Sequence, residues 1–580
     1  MSTHTFTRRQ LLKQGASLVG IIGLAACGRS DPTPTPAPTI APTTTPVPTA
    51  IPEPTSTPMP DPEPTAAIAE PSVRLLWTGD SHGQLRPVYL RETYDASFLV
   101  QNDIEPNSPE AYCCTHEEFI AQAERYGPVG GYAHLATLIQ QERKRYADRT
   151  LLLDSGDTWY GSAMAYLTDG QANVEVMNAI GYDAMTLHWE FNLGQETLLQ
   201  RIDEAKFPIL IQNLVDDDFE DRVMQPSLVR TMGEGNTQVT VAVVGEAYPF
   251  SMLTTEKRDV NPGWRMGYRD VELQEEIDRV RTEEGADVVV VLSHMGYLQD
   301  RAMAARLTGV DVIVGGHTHD ILWQPEQVGQ TLVLQAGSHG KFLGKLDLVV
   351  EDGAVVDFDH QLMPVLANQI DPDPDIAQLI DTLYAPYDAD LQQVIGSTDS
   401  VLYRRSLTGG STDAFMAQAY REIADADLGC TPGWRFGVTL LPGEVRVEDV
   451  YNAMKPTPTP IYTSSFKGRT ILDTLEDNLD NVFNADPLQR LGGDMNRCHG
   501  AKGELAPNAL RGDRVHTLAF GGVPIDVDTV YRVANSGGRA NYLDPDSTAS
   551  DAPAFEELIR YIEQADGPIQ AEPVDVFTFV

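Results

Sequence analysis

Residues 286–319, ADVVVVLSHMGYLQDRAMAARLTGVDVIVGGHTH, decide the fold class of this chain. The apolar runs VVVVL and VDVIV are typical of strands that are buried on both faces of a sheet, and a helical pattern lies between them. Histidines follow both runs, at His294 and at His317 and His319. Because ligands of α/β sheets bind at the carboxyl ends of strands, the stretch predicts an α/β layered domain with a site at its strand ends.

The same alternation of short apolar runs and helical patterns extends over residues 73–366, which we interpret as the first domain. Its further runs are VRLLW, TLLLD, VTVAVVG and TLVLQAG. The segment GKLDLVVEDGAVVDF predicts a closing hairpin with a turn at Asp352-Gly353. Residues 367–394 are acidic and bounded by prolines, which predicts a linker helix, and residues 395–580 predict an α+β second domain.

Composition excludes some classes of protein. The 580 residues include 84 acidic and 42 basic side chains, for a formal charge of −42. A general nucleic-acid binder needs cationic surface to displace counterions, so that class is excluded. Five cysteines are too few for a disulfide scaffold of this length. A bridge between adjacent Cys113 and Cys114 would be strained, whereas Cys430 and Cys498 could pair in an oxidising compartment; the sequence leaves both questions open.

The N-terminus predicts export and a tether. Residues 1–27 contain TRRQLLK, which resembles a twin-arginine motif, and end in LAAC, which resembles a bacterial lipobox with Cys27 as the lipidated residue. Residues 28–72 hold 14 of the 39 prolines and predict a disordered linker. We therefore expect a protein held by a lipid on the outer face of the cytoplasmic membrane, with a plain cleaved signal peptide as the alternative.

Histidine and aspartate side chains cluster after the apolar runs of the first domain. The motifs are Asp-x-His, Gly-Asp, His-x-Glu, a lone His and Gly-His-x-His, in that order. Residues two apart on an extended segment face the same way, and mixed imidazole and carboxylate ligands suit divalent transition metals. The candidate metal ligands are Asp80, His82, Asp157, His188, His294, His317 and His319.

These motifs make residues 73–365 resemble the calcineurin-like metallophosphoesterases, and the whole folded part resembles the 5′-nucleotidase superfamily. The resemblance implies a four-layer αββα metallophosphoesterase sandwich with two divalent metal ions, followed by an α+β 5′-nucleotidase-type C-terminal domain that binds substrate or partner. Residues 73–366 would then be the catalytic domain. One ion would be held by Asp80, His82, Asp157 and His319, and the other by Asp157, His188, His294 and His317. Asp157 would bridge them.

The segment Leu187-His188-Trp189-Glu190 distinguishes branches of the superfamily. The nucleotidase branch has Gly-Asn-His-Glu there, so its catalytic histidine is replaced by Trp189. An indole cannot shuttle a proton, and a general acid contributes roughly 10²–10⁴-fold when the leaving group is a poor one. The loss matters less when the leaving group is a stable anion such as a persulfide. Trp189 therefore favours sulfur chemistry or a weakened phosphatase.

A closer resemblance is to the SoxB thiosulfohydrolases. It rests on HWEF, SHGQLRPVYLRE, YGPVGGYAHLATLI, LLLDSGDTWYGS, GSHGKFLGKLDL, PGWRFGVTLLPGE and LGGDMNR. It implies hydrolysis of a cysteine-S-thiosulfonate on a sulfur carrier protein of SoxYZ type, with release of sulfate and departure of a persulfide. It also implies a manganese pair, which would make hydroxide from water by lowering its pKa, although these ligands equally suit zinc or iron.

We assign Asp157, Trp189 and Arg497 as catalytic, and Arg497, Trp189 and His339 as substrate-binding. The planar guanidinium of Arg497 could grip sulfonate oxygens, with an ordinary interdomain ion pair as the alternative. Trp189 could instead be a core aromatic, and His339 a packing residue. Tyr160 stands where the subfamily is expected to have Gln.

Two competing functions remain. The first is an exported 5′-nucleotidase or related phosphoesterase, which predicts an aromatic pair that stacks a base. The second is a lipoprotein that binds a ligand without catalysis. Metal analysis would separate the two classes, because bound metal at the candidate ligands would indicate an enzyme.

Overall fold

The structure is a computed structural model that describes residues 70–254, 260–454, 456–537, 544, 546–571 and 577–580. The predicted signal segment, Cys27 and the predicted linker up to residue 69 lie outside the described residues. Within the described parts, no helix is both long enough and apolar enough to cross a membrane.

The first domain alternates strands and helices along the chain, as its sequence predicts. Its strands are β1 (Val73–Thr78), β2 (Thr150–Asp154), β3 (Ala184–Met185), β4 (Leu214–Asp216), β5 (Ser227–Met232), β6 (Val239–Glu246), β7 (Trp264–Met266), β8 (Val288–Ser293), β9 (Val312–Val314), β10 (Glu326–Val328), β11 (Thr331–Leu334), β12 (Phe342–Glu351) and β13 (Ala354–Pro364). Its helices are α1 (Ala96–Gln101), α2 (Pro109–Cys114), α3 (Phe119–Tyr126), α4 (Tyr132–Arg145), α5 (Ala163–Leu167), α6 (Gln171–Ile180), α7 (Gln195–Glu204), α8 (Ser251–Thr254), α9 (Asp270–Thr282) and α10 (Tyr297–Ala304).

Two sheets form the centre of this domain. One has the strand order β13-β12-β1-β2-β3, and the other has the order β10-β11-β9-β8-β6-β5. The strands β1, β2 and β3 run parallel, and so do β11, β9, β8 and β6. Every residue of β1 and of β8 is buried, which explains their continuous apolar sequence.

Apolar side chains between and outside the sheets define four layers. One core cluster joins the inner faces of both sheets, with Leu75 and Leu153 on one and Val290 and Val312 on the other. The opposite face of the first sheet packs against α4, α6 and α7, and that of the second against α9 and α10. The predicted αββα sandwich is confirmed.

The predicted closing hairpin is also confirmed. The strands β12 and β13 pair antiparallel along their length around Asp352-Gly353. Both turn residues have positive φ, 49° and 75°, as the tight turn of a right-twisted hairpin requires.

The linker contains two helices, α11 (Pro374–Tyr384) and α12 (Asp388–Leu391). Asp373 caps α11 by accepting hydrogen bonds from the backbone amides of Asp375 and Ile376. Ile376 and Ile380 pack into the core beside α4 and α6, so this segment is part of the first domain's outer layer.

The second domain is α+β, as predicted. Its strands are β14 (Val394–Thr398), β15 (Leu428–Thr431), β16 (Gly443–Arg446), β17 (Pro460–Lys467), β18 (Arg497–Cys498), β19 (Ala501–Leu505), β20 (Val515–Phe520), β21 (Val523–Pro524), β22 (Val530–Asn535), β23 (Thr548–Pro553) and β24 (Phe577–Phe579). Its helices are α13 (Ser411–Ile423), α14 (Val447–Met454), α15 (Gly468–Phe483) and α16 (Ala554–Glu563). The larger sheet has the order β18-β15-β22-β17-β23.

The structure shows how the cysteines pair, which the sequence left open. Cys430 of β15 and Cys498 of β18 face each other in the sheet and form a disulfide. Cys113 and Cys114 are free and buried at the end of α2. Burial raises the pKa of the Cys113 thiol to about 12, which disfavours its reactive thiolate form.

Candidate metal centre and cleft

All seven candidate ligands lie just beyond the carboxyl ends of strands. Asp80 and His82 follow β1, Asp157 follows β2 and His188 follows β3, while His294 follows β8 and His317 and His319 follow β9. Backbone hydrogen bonds continue the β1–β2 pairing into the loops: the amide of Asp80 donates to Gly156 and that of His82 to Asp157. Since the parallel strands end at one edge of the sandwich, the structure brings these residues together.

The backbone of the site is strained. Asp80, His82, Asp157, His317 and His319 all have φ between 49° and 73°, and so does His339 at 57°. Residues other than glycine adopt this left-handed region uncommonly, and such conformations persist at functional sites where the surrounding structure holds them. These loops therefore direct the side chains toward one another, and the unfavourable backbone conformation costs some conformational free energy.

Three groups of side chains present ligand atoms close enough to hold cations. They are His188, His294 and His317; Asp80, His82 and His319; and Asp80, Asp157 and His294. In each group the ligand atoms lie within 4.8 Å of one another. The third group shares Asp80 with the second and His294 with the first, so Asp157 lies between two adjoining clusters. That arrangement is what a bridging carboxylate requires.

Within the clusters, several ligand atoms lie close to one another. The Nε2 atoms of His82 and His319 lie 2.9 Å apart. Asp157 Oδ2 lies 3.1 Å from His188 Nδ1 and 3.3 Å from His294 Nε2. His294 Nδ1 donates to the carbonyl of Ser155 at 2.5 Å, which leaves Nε2 to face the carboxylates.

The titration behaviour of these groups fits a cation site. Burial alone would raise the pKa of Asp157, but His188 and His294 hold it well below its usual value. Burial lowers the pKa of His294, yet Asp157 and Asp80 more than offset this and raise it to about 10. The carboxylates thus hold a proton on His294 that a cation would replace, as metal binding requires.

Buried ring nitrogens support the same conclusion. His317 Nε2 and His319 Nδ1 are buried and have no hydrogen-bond partner among the described residues. Burial lowers the pKa of both histidines well below the usual value, with His188 and His82 respectively as the next causes. Neutral imidazole is the form that ligates metals. The residues present therefore fit a pair of divalent cations.

Glu190 is part of the His-x-Glu motif in the sequence, but it was assigned no role in the sequence analysis. Its carboxylate is buried and accepts hydrogen bonds from the amides of Thr158 at 2.6 Å, Trp159 at 3.1 Å and His188 at 2.8 Å. It thereby ties the loop of Asp157 to the loop of His188. Its position two residues after His188 was the only signal, because two of its three partners, Thr158 and Trp159, follow another strand.

Aromatic side chains pack beside the candidate ligands. The half-buried Trp189 ring lies 4.8 Å from His82, 5.5 Å from Phe436, 6.3 Å from Trp434 and 6.4 Å from Tyr160, measured between ring centroids. The His339 ring stacks on Phe436 at 5.9 Å and lies 5.3 Å from His82. Trp189 and His339 therefore both lie beside the candidate ligands.

The contacts of Arg497 are with residues of the second domain. Arg497 is 2% exposed, and its guanidinium pairs with Asp413 at 3.2 Å and with Asp494 at 3.3 Å. Nη1 also donates to the carbonyl of Trp434 at 3.3 Å. All these partners belong to the second domain, so the observed contacts are ion pairs and a backbone hydrogen bond within that domain.

In the described part of the chain, Arg435 is one of two arginines that contact the loop of His317 and His319. The other, Arg405, donates from Nη2 to the carbonyl of His319 at 3.5 Å. Arg435 Nη1 donates to the carbonyl of Thr318, between His317 and His319, at 3.4 Å. Its charge contributes to the low pKa of both histidines, after burial and their closer neighbours. Its side chain is 17% exposed. The sequence signal was PGWRF, quoted above as a motif but not assigned a role.

The segment LGGDMNR covers the ligands from the second domain. Gly492 has a φ of 74°, and a Cβ atom built on it would lie 2.3 Å from His317 Nε2. Only glycine permits so close an approach of the backbone to this imidazole. The glycine of this motif is therefore the residue that packs against the candidate ligand His317.

The comparisons with known proteins agree with this architecture. Residues 394–544 match the family described as 5′-nucleotidase, C-terminal domain. The structure of the sulfate thiohydrolase SoxB from Thermus thermophilus is similar at a TM-score of 0.84 and 29% identity, over 89% of this chain and 98% of that one. A 5′-nucleotidase precursor from Thermus thermophilus shares the fold, with a TM-score of 0.72 and 21% identity over 88% of this chain and 99% of that one.

Among curated sequences, the trifunctional nucleotide phosphoesterase YfkN of Bacillus subtilis is 27% identical over 453 residues. That match covers 70% of this chain and 30% of YfkN. The chain spans between 30% and 60% of the length of such curated relatives.

The predicted resemblance to the 5′-nucleotidase superfamily, and within it to SoxB, is confirmed. The chain has the fold and the candidate ligand groups of a metal-dependent hydrolase.

Proposed function

We propose that this protein hydrolyses a cysteine-S-thiosulfonate on a sulfur carrier protein of SoxYZ type, releasing sulfate. The observation that carries the proposal is Trp189, an indole beside the candidate ligands at the place where the nucleotidase branch has a proton-donating histidine. The 29% identity to SoxB over nearly the whole of both chains supports it.

The leaving group explains how hydrolysis proceeds without that donor. Water adds to the terminal sulfur, the S–S bond breaks, and the electron pair leaves on the carrier as a persulfide anion. Because a persulfide is stable without a proton, the roughly 10²–10⁴-fold contribution of a general acid is not needed. Trp189, Phe436 and Trp434 supply an apolar wall that suits a polarisable sulfur chain.

Arg435 is the residue to which we assign the binding of the sulfonate. The planar fork of a guanidinium binds two oxygens of an oxyanion at once. Arg435 approaches Thr318 between two candidate ligands, so an anion held there would meet the ligand cluster. We assign to Arg435 the gripping role that the sequence suggested for Arg497.

The metal pair would be held by the seven candidate ligands, and when bound it would lower the pKa of water and neutralise the oxygens of the attacked group. Asp157 would lie between the ions, and its Oδ1 accepts a hydrogen bond from the Trp189 amide at 2.7 Å. This contact fixes the carboxylate and the indole-bearing turn relative to each other. Manganese is the metal proposed, on the similarity to SoxB, and nitrogen and oxygen donors also suit zinc or iron.

The partner and the location are proposed on the same basis. A carrier cysteine on a flexible arm would bring the sulfonate to the cleft. Export by the twin-arginine route and lipidation at Cys27 would place the enzyme on the outer face of the cytoplasmic membrane, where the disulfide of the second domain is favoured.

A direct test compares two substrates. The manganese-loaded protein is incubated with a peptide that carries a cysteine-S-thiosulfonate, and sulfate is measured by ion chromatography; AMP is supplied in a parallel reaction. We expect sulfate release and slow AMP hydrolysis. His317→Ala should abolish both, whereas Glu175→Gln, at a half-buried residue of α6 whose carboxylate accepts a hydrogen bond from Gln171, should leave both unchanged.

Rapid AMP hydrolysis without sulfate release would refute the proposal. That result would favour the alternative function, an exported 5′-nucleotidase, which is the activity named for many of the curated relatives.

A further inference from the structure

Asp494, from the LGGDMNR segment, is a carboxylate shared by two arginines. Oδ1 lies 3.8 Å from Arg435 Nε, and Oδ2 lies 3.3 Å from Arg497 Nη2. Its side chain is 14% exposed. Burial raises the pKa of Asp494 above its usual value, and Arg435 and Arg497 offset only part of this rise.

The backbone of Asp494 is fixed independently of these pairs. Its amide donates to the carbonyl of Gly433 at 2.5 Å, and its carbonyl accepts from Asn478 Nδ2 at 3.4 Å. A Cβ atom on Gly433 would lie 2.2 Å from the carbonyl oxygen of Asp494, so the loop before Arg435 packs directly against this backbone. The carboxylate therefore has a set position from which to hold a side chain.

Arg497 is anchored on its other side. Asp413 binds Arg497 and also accepts hydrogen bonds from Arg404 Nε at 3.0 Å and from Arg404 Nη2 at 2.9 Å. Both Asp413 and Arg404 are fully buried. The row of ion pairs thus runs from the core of the second domain through Arg497 and Asp494 to Arg435.

The position of Arg435 depends on Asp494, the last carboxylate of this row of ion pairs. The hydrogen bonds and ion pairs of Arg435 among the described residues are those to Asp494 and Thr318. An arginine side chain has several rotatable bonds, and binding is weakened when that freedom is lost only on complex formation. The Asp494 contact is at Nε, so the terminal nitrogens can still bind an anion.

We propose that Asp494 is the positioning residue that holds Arg435 toward the metal ligands, and that Arg497 acts by holding Asp494. The proposal deepens the proposed function, on which it rests for the identity of the substrate. It predicts that the site binds a tetrahedral oxyanion through a guanidinium whose orientation is set before binding.

A double-mutant cycle on anion binding tests this. Inorganic sulfate and inorganic phosphate are titrated calorimetrically into the manganese-loaded wild type, Asp494→Asn, Arg435→Ala and the double variant. We expect Asp494→Asn to weaken anion affinity about 10-fold, as the loss of a residue that orients a binding side chain typically does. In the Arg435→Ala background the same change should have no further effect, because Asp494 acts through Arg435.

Controls separate positioning from folding. Metal content should be unchanged in Asp494→Asn, and KM should rise more than kcat falls. Asp480→Asn is the matched control, since Asp480 pairs with Arg514 at 2.7 Å in the same domain and not with the cluster. It should bind anions like the wild type.

Asp494→Glu and Arg497→Lys provide a second route if the asparagine variant loses stability. Both conserve charge and alter geometry, so we expect both to weaken anion binding while retaining metal. Wild-type affinity in Asp494→Glu, or additive losses in the cycle, would overturn the inference. A wild type that releases no sulfate from the peptide would refute only the proposed function, because the phosphate cycle would still report on Asp494.

Discussion

Gly492→Ala should remove one of the two proposed metal sites. The new methyl group would lie 2.3 Å from His317 Nε2 and 3.0 Å from Cε1, while carbon and nitrogen normally approach to about 3.5 Å. The imidazole would therefore have to move by about 1 Å, which exceeds the roughly 0.5 Å tolerance of an organised site. Alanine at a left-handed φ adds about 1–2 kcal/mol of destabilisation.

The consequence should be specific to the cluster of His188, His294 and His317. We expect the manganese affinity of that cluster to fall about 10–100-fold, with the other cluster retained. Calorimetric titration and metal analysis after gel filtration would then give one tightly bound equivalent instead of two.

Gly522→Ala is the matched control for this experiment. Gly522 also has a left-handed φ, 82°, and a Cβ atom there would meet nothing within 4 Å. It should lose stability without losing metal. If Gly492→Ala bound two equivalents as tightly as wild type, the assignment of His317 as a ligand would be refuted.

Three other changes test separate parts of the structure. Trp189→His should gain phosphomonoesterase activity toward AMP if the missing proton donor determines specificity; an unchanged rate would contradict that reason and leave the metal assignment standing. The double variant Cys430→Ser with Cys498→Ser should lose about 2–4 kcal/mol of unfolding free energy in urea and should no longer respond to dithiothreitol. Burial, with a smaller effect of Lys345, lowers the pKa of His360 to about 4, so the folded protein keeps it neutral while the unfolded chain protonates it below about 6.5. Stability should fall by about 3 kcal/mol from this residue as the pH drops from 6.5 to 4, and His360→Gln should show a smaller loss in melting experiments at the two pH values.

The candidate ligands could be predicted from the sequence because each one directly follows an apolar run that forms a strand. Apolar runs such as 288–292 predict buried strands, and polar residues just beyond them are aimed at the carboxyl edge of a sheet. His294, His317 and His319 could therefore be named without knowledge of which strands are neighbours. The hairpin at Asp352-Gly353 is predictable for the same reason, since its turn chemistry lies within two residues.

Which residues surround those ligands could be learned only from the tertiary structure. Arg497 and Arg435 both occur in motifs of the second domain, and nothing in their local sequence tells which guanidinium is enclosed by Asp413 and which reaches Thr318. The contact of Gly492 with His317 joins two domains across 175 positions of the chain. Charge pairing and close packing depend on distances in space, so strand-local patterns identify the ligand types but only the folded chain determines what holds and covers them.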